Sequence, residues 1–203
     1  MAPIVPDPKA IKTFRTEADF EKWLSKNHDR ASEIWIRMHK KSSGLPSITP
    51  ALALDVALCW GWIDATRKGL DDTSFLQRYC PRRPRSIWSQ INREHIARLT
   101  KAGRMTPHGQ RQVDLAKGDG RWDAAYAPVR GTSQDDMPED LRAAIDASPK
   151  ARKMFATLGR MNLFSLRFRT NNMKTPEGRA RKIASLVAML ERGETIVPER
   201  KRR

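Results

Sequence analysis

The chain has 203 residues, with 39 Lys and Arg against 23 Asp and Glu, for a formal net charge of +16. That length allows one domain with appendages and a proper core. No apolar run approaches the ~18 residues of a membrane span, the opening residues lack the apolar stretch of an ordinary signal peptide, and two cysteines, Cys59 and Cys80, are too few for a disulfide scaffold; the expected compartment is the cytoplasm.

In chain order, residues 1–12 read as a flexible, Pro-containing tail. Thr16 with Asp19 three positions on is a box-like helix start, and 18–26 reads as a short helix with Phe20, Trp23 and Leu24 inward. Alternation predicts a strand over 33–40, with Ile34, Ile36 and Met38 on one face. After a Ser-, Gly- and Pro-rich loop, Thr49 and Pro50 open a helix over 51–60 that is apolar all round except Asp55. Gly61 stops it, and 61–69 and 74–80 read as a hairpin. Further helices are expected from Ser86 to about Lys101, from Thr106-Pro107 to Gly118, and over 138–147, 149–168 and 176–192. The expected fold class is therefore α+β: a small three-stranded antiparallel sheet covered by helices, with a helical C-terminal part. The expected division is a tail (1–12), an α+β core (13–127), a linker (128–137), a helical subdomain packed on the core (138–192) and a basic tail (193–203).

The charge is not evenly spread. Residues 78–104 carry an excess of seven positive charges and residues 150–182 an excess of nine, which together equal the net charge. Such a concentration repels itself unless something anionic compensates it. The bland reading is a solvated basic face.

Signatures of metal, nucleotide-loop and nucleophile chemistry are absent, the four histidines are scattered, and no cofactor is implied. One dense polar-aromatic stretch remains. It joins Trp62 and Asp64, which share a strand face, to Arg82, Arg83, Arg85, Ser86, Trp88, Ser89 and Asn92. Arginines leading into a helix start would meet free N–H groups that attract phosphate or carboxylate. The structural alternative is a brace in which Asp64 pairs with Arg82 or Arg83. The candidate ligand site is thus Trp62, Asp64, Arg82, Arg83, Ser86, Trp88, Ser89 and Asn92. The candidate basic surface is Arg85, Arg93, Arg98, Lys101, Arg167, Arg169, Arg179, Arg181 and Lys182.

These residues also carry a resemblance. Ile-Trp-Ile followed by His-Lys-Lys-Ser-Ser-Gly (34–44), Ala-Leu-Cys-Trp-Gly-Trp-Ile-Asp (57–64), Pro-Arg-Arg-Pro-Arg-Ser-Ile-Trp-Ser-Gln-Ile-Asn (81–92), Gly-Arg-Trp (120–122) and the closing segment 175–183 resemble the YdeI/OmpD-associated, bacteriocin-protection family over about residues 13–192. The closing segment departs from the family pattern at Gly178 and Lys182. The resemblance implies resistance to cationic peptides or bacteriocins and association with an outer-membrane porin, with no reaction or cofactor. For a chain without an export signal, that porin link would be indirect, and a protein this basic would repel cationic peptides rather than bind them. Three readings follow. The first is a non-enzymatic stress-resistance protein that binds an anionic ligand or protein. The second is a weak nucleic-acid binder using both basic windows, with Trp88 or Trp122 stacking on bases. The third is an enzyme on a phosphorylated or carboxylated metabolite, with Asp64 as acid or base.

Overall fold

A computed structural model describes residues 5–199. The first four residues and the final Arg200-Lys201-Arg202-Arg203, the ends of the two expected tails, lie outside the described residues. The chain divides into two compact units, Met1–Ala125 and Tyr126–Arg203.

The first unit is built on a mixed four-stranded sheet of order β1-β2-β4-β3. The strands are β1 (Ile11–Lys12), β2 (Ile34–His39), β3 (Trp62–Gly69) and β4 (Ser74–Pro81). β4 lies antiparallel between β2 and β3, as the alternation and the short connection at 70–73 lead one to expect. The expectation of three antiparallel strands needs correction. Ile11 and Lys12 add a fourth strand that runs parallel to β2, opposite Trp35 and Ile36. Two residues cannot show a period, so this strand exists only through the backbone hydrogen bonds its neighbour offers.

Helix α1 (Glu17–Asn27) begins at a full capping box: Thr16 accepts from the Asp19 backbone N–H, and the Asp19 carboxylate accepts from the Thr16 N–H. Helix α2 (Pro50–Cys59) is capped by Thr49. Being apolar all round, it is buried from two sides. Ala53, Val56 and Ala57 join the core formed with Phe20, Leu24, Ile34, Ile36, Met38, Trp62 and Tyr79. Leu58 and Cys59 join a second core with Trp88, Ile96, Leu99 and Val113. That second core is closed by α3 (Gln90–Lys101) and α4 (Pro107–Gly118). The close approach of α4 to α2 requires glycine at 109, because an added Cβ would sit 2.2 Å from the Cys59 carbonyl oxygen.

The second unit holds α5 (Glu139–Asp146), α6 (Pro149–Phe155), α7 (Arg160–Asn171) and α8 (Pro176–Glu191) around Leu141, Ile145, Phe155, Leu166, Leu186 and Leu190. The single helix expected over 149–168 is two, separated at 156–159, where Gly159 takes extended backbone and serves as the N-cap of α7. Residues beyond α8 fold back. Asn162, 2% exposed, donates to the Val197 carbonyl and accepts from its N–H, and Glu199 accepts from the Gly159 N–H. This part of the expected tail is therefore fastened to α7, because a buried amide satisfies its polar atoms on a returning backbone. Among the described residues no helix is long and apolar enough to cross a membrane.

Candidate anion-binding surface at residues 82–93 and Trp122

The segment leaving β4 is a braced loop. The Arg82 N–H donates to the Gly61 carbonyl (3.0 Å), and its guanidinium lies 3.6 Å over the Trp88 ring while donating to the Ile87 carbonyl. Arg121 reaches the Ser86 carbonyl at 2.9 Å and pairs with Asp119. The helix expected from Ser86 starts later, at Gln90, with Ser89 as N-cap accepting from the Asn92 N–H. The reason is tertiary: stacking of Arg82 on Trp88 holds 82–88 out of helical conformation, and the first free hydroxyl after it caps the helix.

The candidate ligand residues therefore differ in exposure. Trp62 is in the first core, its indole N–H donating to the His28 carbonyl. Arg82, Trp88 and Ser89 are buried. Ser86 and Asn92 are half-buried beside them. Arg83 and Arg85 are exposed, and among the described residues neither is paired with a carboxylate. Asp64 keeps much of its surface open to water. Surrounding protein still raises its carboxyl pKa by desolvation, against the opposing pull of its own backbone N–H and of the charges of Arg67, Arg82 and His95. Asp64 and Arg82 thus lie within electrostatic reach.

Of the expected basic surface, Arg98, Arg167 and Arg179 are engaged with Asp55, Asp136 and Asp140. Arg85, Arg93, Lys101, Arg169, Arg181 and Lys182 have no ion pair among the described residues. Arg93 is half-buried. One guanidinium nitrogen donates to the Trp122 carbonyl at 3.0 Å, and the group lies 5.2 Å from the Trp122 ring centre. Lys117 lies 5.6 Å from the same ring. Trp122 packs edge-on against Trp88, with 5.0 Å between ring centres. Two depressions meet at this indole. One, of about 450 Å³, is lined by Gln90, Arg93, Glu94, Ala97 and Trp122. The other, of about 270 Å³, lies between α3 and α4 and includes Thr100, Gln110 and Lys117.

Sequence reasoning missed a polar cluster between α2 and α3. Asp55, 6% exposed, accepts from His95 Nδ1 at 2.8 Å and from Arg98 at 2.6 and 2.7 Å. Burial pushes the Asp55 carboxyl up, but hydrogen bonds from Arg98 and His95, with their charges, outweigh it and leave the pKa lowered. The signal was present as the one charge in an otherwise apolar helix, followed by His and Arg three residues apart on the next. The two thiols are unsuited to nucleophilic work: burial pushes Cys59 to about 11 and also raises Cys80. Among the described residues no group of three or more His, Cys, Asp or Glu is placed to hold a metal ion.

Comparison with known families divides the chain much as the fold does. Residues 12–112 match a domain of unknown function (DUF8412). The motifs at 57–64 and 81–92 fall there, while the closing motif at 175–183 falls in a second match, over residues 136–193, to the family described as Bacteriocin-protection, YdeI or OmpD-Associated. No curated protein and no solved structure matches the chain. Residues 136–193 are thus similar to the Bacteriocin-protection, YdeI or OmpD-Associated family, and of the motifs that resemble that family the closing one, 175–183, falls within the match.

Proposed function

We propose that this is a stress-resistance protein of the bacteriocin-protection type that acts by binding an anionic ligand or partner, from the cytoplasm and with any porin link indirect. The observation that carries the reading is the braced loop. Arg83 and Arg85 stand exposed, without carboxylate partners among the described residues, on a backbone fixed from both ends by Arg82 on Trp88 and Arg121 on Ser86. Arg93 follows on the first turn of α3. A fixed frame lowers the entropy lost when arginines close on an anion, and the fork of each guanidinium suits phosphate or carboxylate oxygens. The test is binding of inorganic polyphosphate by the full chain. Arg83→Gln with Arg85→Gln is expected to weaken binding about tenfold per arginine and leave the melting temperature unchanged, since neither side chain holds the fold. Unchanged affinity in the double variant would remove the loop as the anion site.

A further inference from the structure

Resting on the anion-binding reading, we infer that the Trp122 groove takes an unpaired nucleobase, which makes the anionic partner a single-stranded nucleic acid. Three indole and guanidinium groups pack in series from the inside outwards, the outer two rings edge to face. Arg82 lies 3.6 Å over Trp88, and Trp88 packs at 5.0 Å against Trp122. Trp88 is 1% exposed and closed to a ligand, whereas Trp122 is half-buried and lines both depressions. The inner pair fixes the outer ring, and a fixed ring is a low-entropy stacking platform.

The cations around this platform sit far from its ring, Arg93 being held by its 3.0 Å hydrogen bond to the Trp122 carbonyl rather than by the ring itself. Arg93 and Lys117 stand 5.2 and 5.6 Å from the Trp122 ring centre, near the outer limit of about 6 Å for cation–π attraction. Neither has a carboxylate partner among the described residues. An entering base therefore displaces only weak ring contacts; Lys117 turns to a phosphate beside it, and Arg93 meets one with the guanidinium nitrogens that the Trp122 carbonyl does not engage. Gln90, Thr100 and Gln110 line the same walls and supply neutral donors and acceptors for a base edge. Glu94 is the one carboxylate lining the depressions and keeps phosphate from that side of the larger one. Its volume, about 450 Å³, is in the range of small-molecule sites. An acidic protein segment would satisfy the cations and leave the indole unused. A duplex keeps its bases stacked on each other and cannot lay one flat on Trp122.

The experiment compares a fluorescently labelled oligothymidylate of about 15 nucleotides with an abasic phosphodiester strand of equal length and with poly-glutamate. All are titrated with the full chain at about 50 mM salt. Wild type is expected to prefer oligothymidylate to the abasic strand by about tenfold or more, a stacking preference. Trp122→Ala should lose the preference while binding the abasic strand as before. Trp122→Phe, which keeps an aromatic face and the packing against Trp88, should retain part of it. Equal binding of the two strands by wild type, or tighter binding of poly-glutamate, overturns the nucleobase assignment and leaves the anion site standing. Binding of none of the three overturns both.

Discussion

Whether an arginine serves the fold or a ligand is decided here by distance and partner. Arg82 at 3.6 Å from Trp88 is part of the core, while Arg83, next in the chain, is exposed and unpaired with any carboxylate among the described residues. The same contrast holds for the two unusual carboxyls. Asp55 is held below the ordinary carboxylate range by Arg98 and His95 despite its burial. Its stabilising effect is complete above the unfolded-state value and is lost as pH falls through the folded one. Asp55→Ala should cost about 2–3 kcal/mol near neutral pH, with the difference from wild type shrinking on acidification; urea unfolding across pH measures both. Asp64 behaves in the opposite sense. Desolvation raises its pKa, so the folded state binds the proton more tightly and loses stability as pH rises through the folded value. Asp64→Asn should therefore unfold at higher urea than wild type at neutral pH, with the gap closing in acid. A variant that unfolds earlier would show that the Asp64 charge stabilises the fold.

Elements with a local cause were legible in the sequence. The box of Thr16 and Asp19, Thr49 before Pro50 and the left-handed Gly61 after α2 each set a boundary by short-range hydrogen bonding or backbone freedom. What escaped was set from far along the chain. β1 depends on Trp35 and Ile36, and the delayed start of α3 depends on Arg82 meeting Trp88. The site was legible to the same degree. The segment 81–92 stood out by composition, yet which of its residues face solvent depends on stacking that has no period. Helix packing supplies a sharp test at this scale. Gly109→Ala places a methyl 2.2 Å from the Cys59 carbonyl, against backbone that cannot rotate away. It should cost about 2–3 kcal/mol in thermal or urea unfolding. A near-neutral effect would mean that α4 can slide outward on α2.

For the whole molecule, the fold redistributes the charge that the sequence concentrates. Glu33, Asp55 and Glu17 come from outside the first basic window to pair with Arg78, Arg98 and Arg104 inside it. Asp136 and Asp140 do the same for Arg167 and Arg179 in the second. Among the described residues, what has no carboxylate partner in the first window is concentrated at Arg83, Arg85, Arg93 and Lys101. The central claim, an anion site on that remainder, is tested most directly by the salt dependence of single-strand binding in wild type and in the Arg83→Gln, Arg85→Gln double variant. Each phosphate that the variant no longer neutralises should lower the slope of log affinity against log salt by about 0.7. The account predicts a shallower slope and weaker binding in the double variant, with an unchanged melting temperature. Identical slopes and affinities in the two proteins would contradict it.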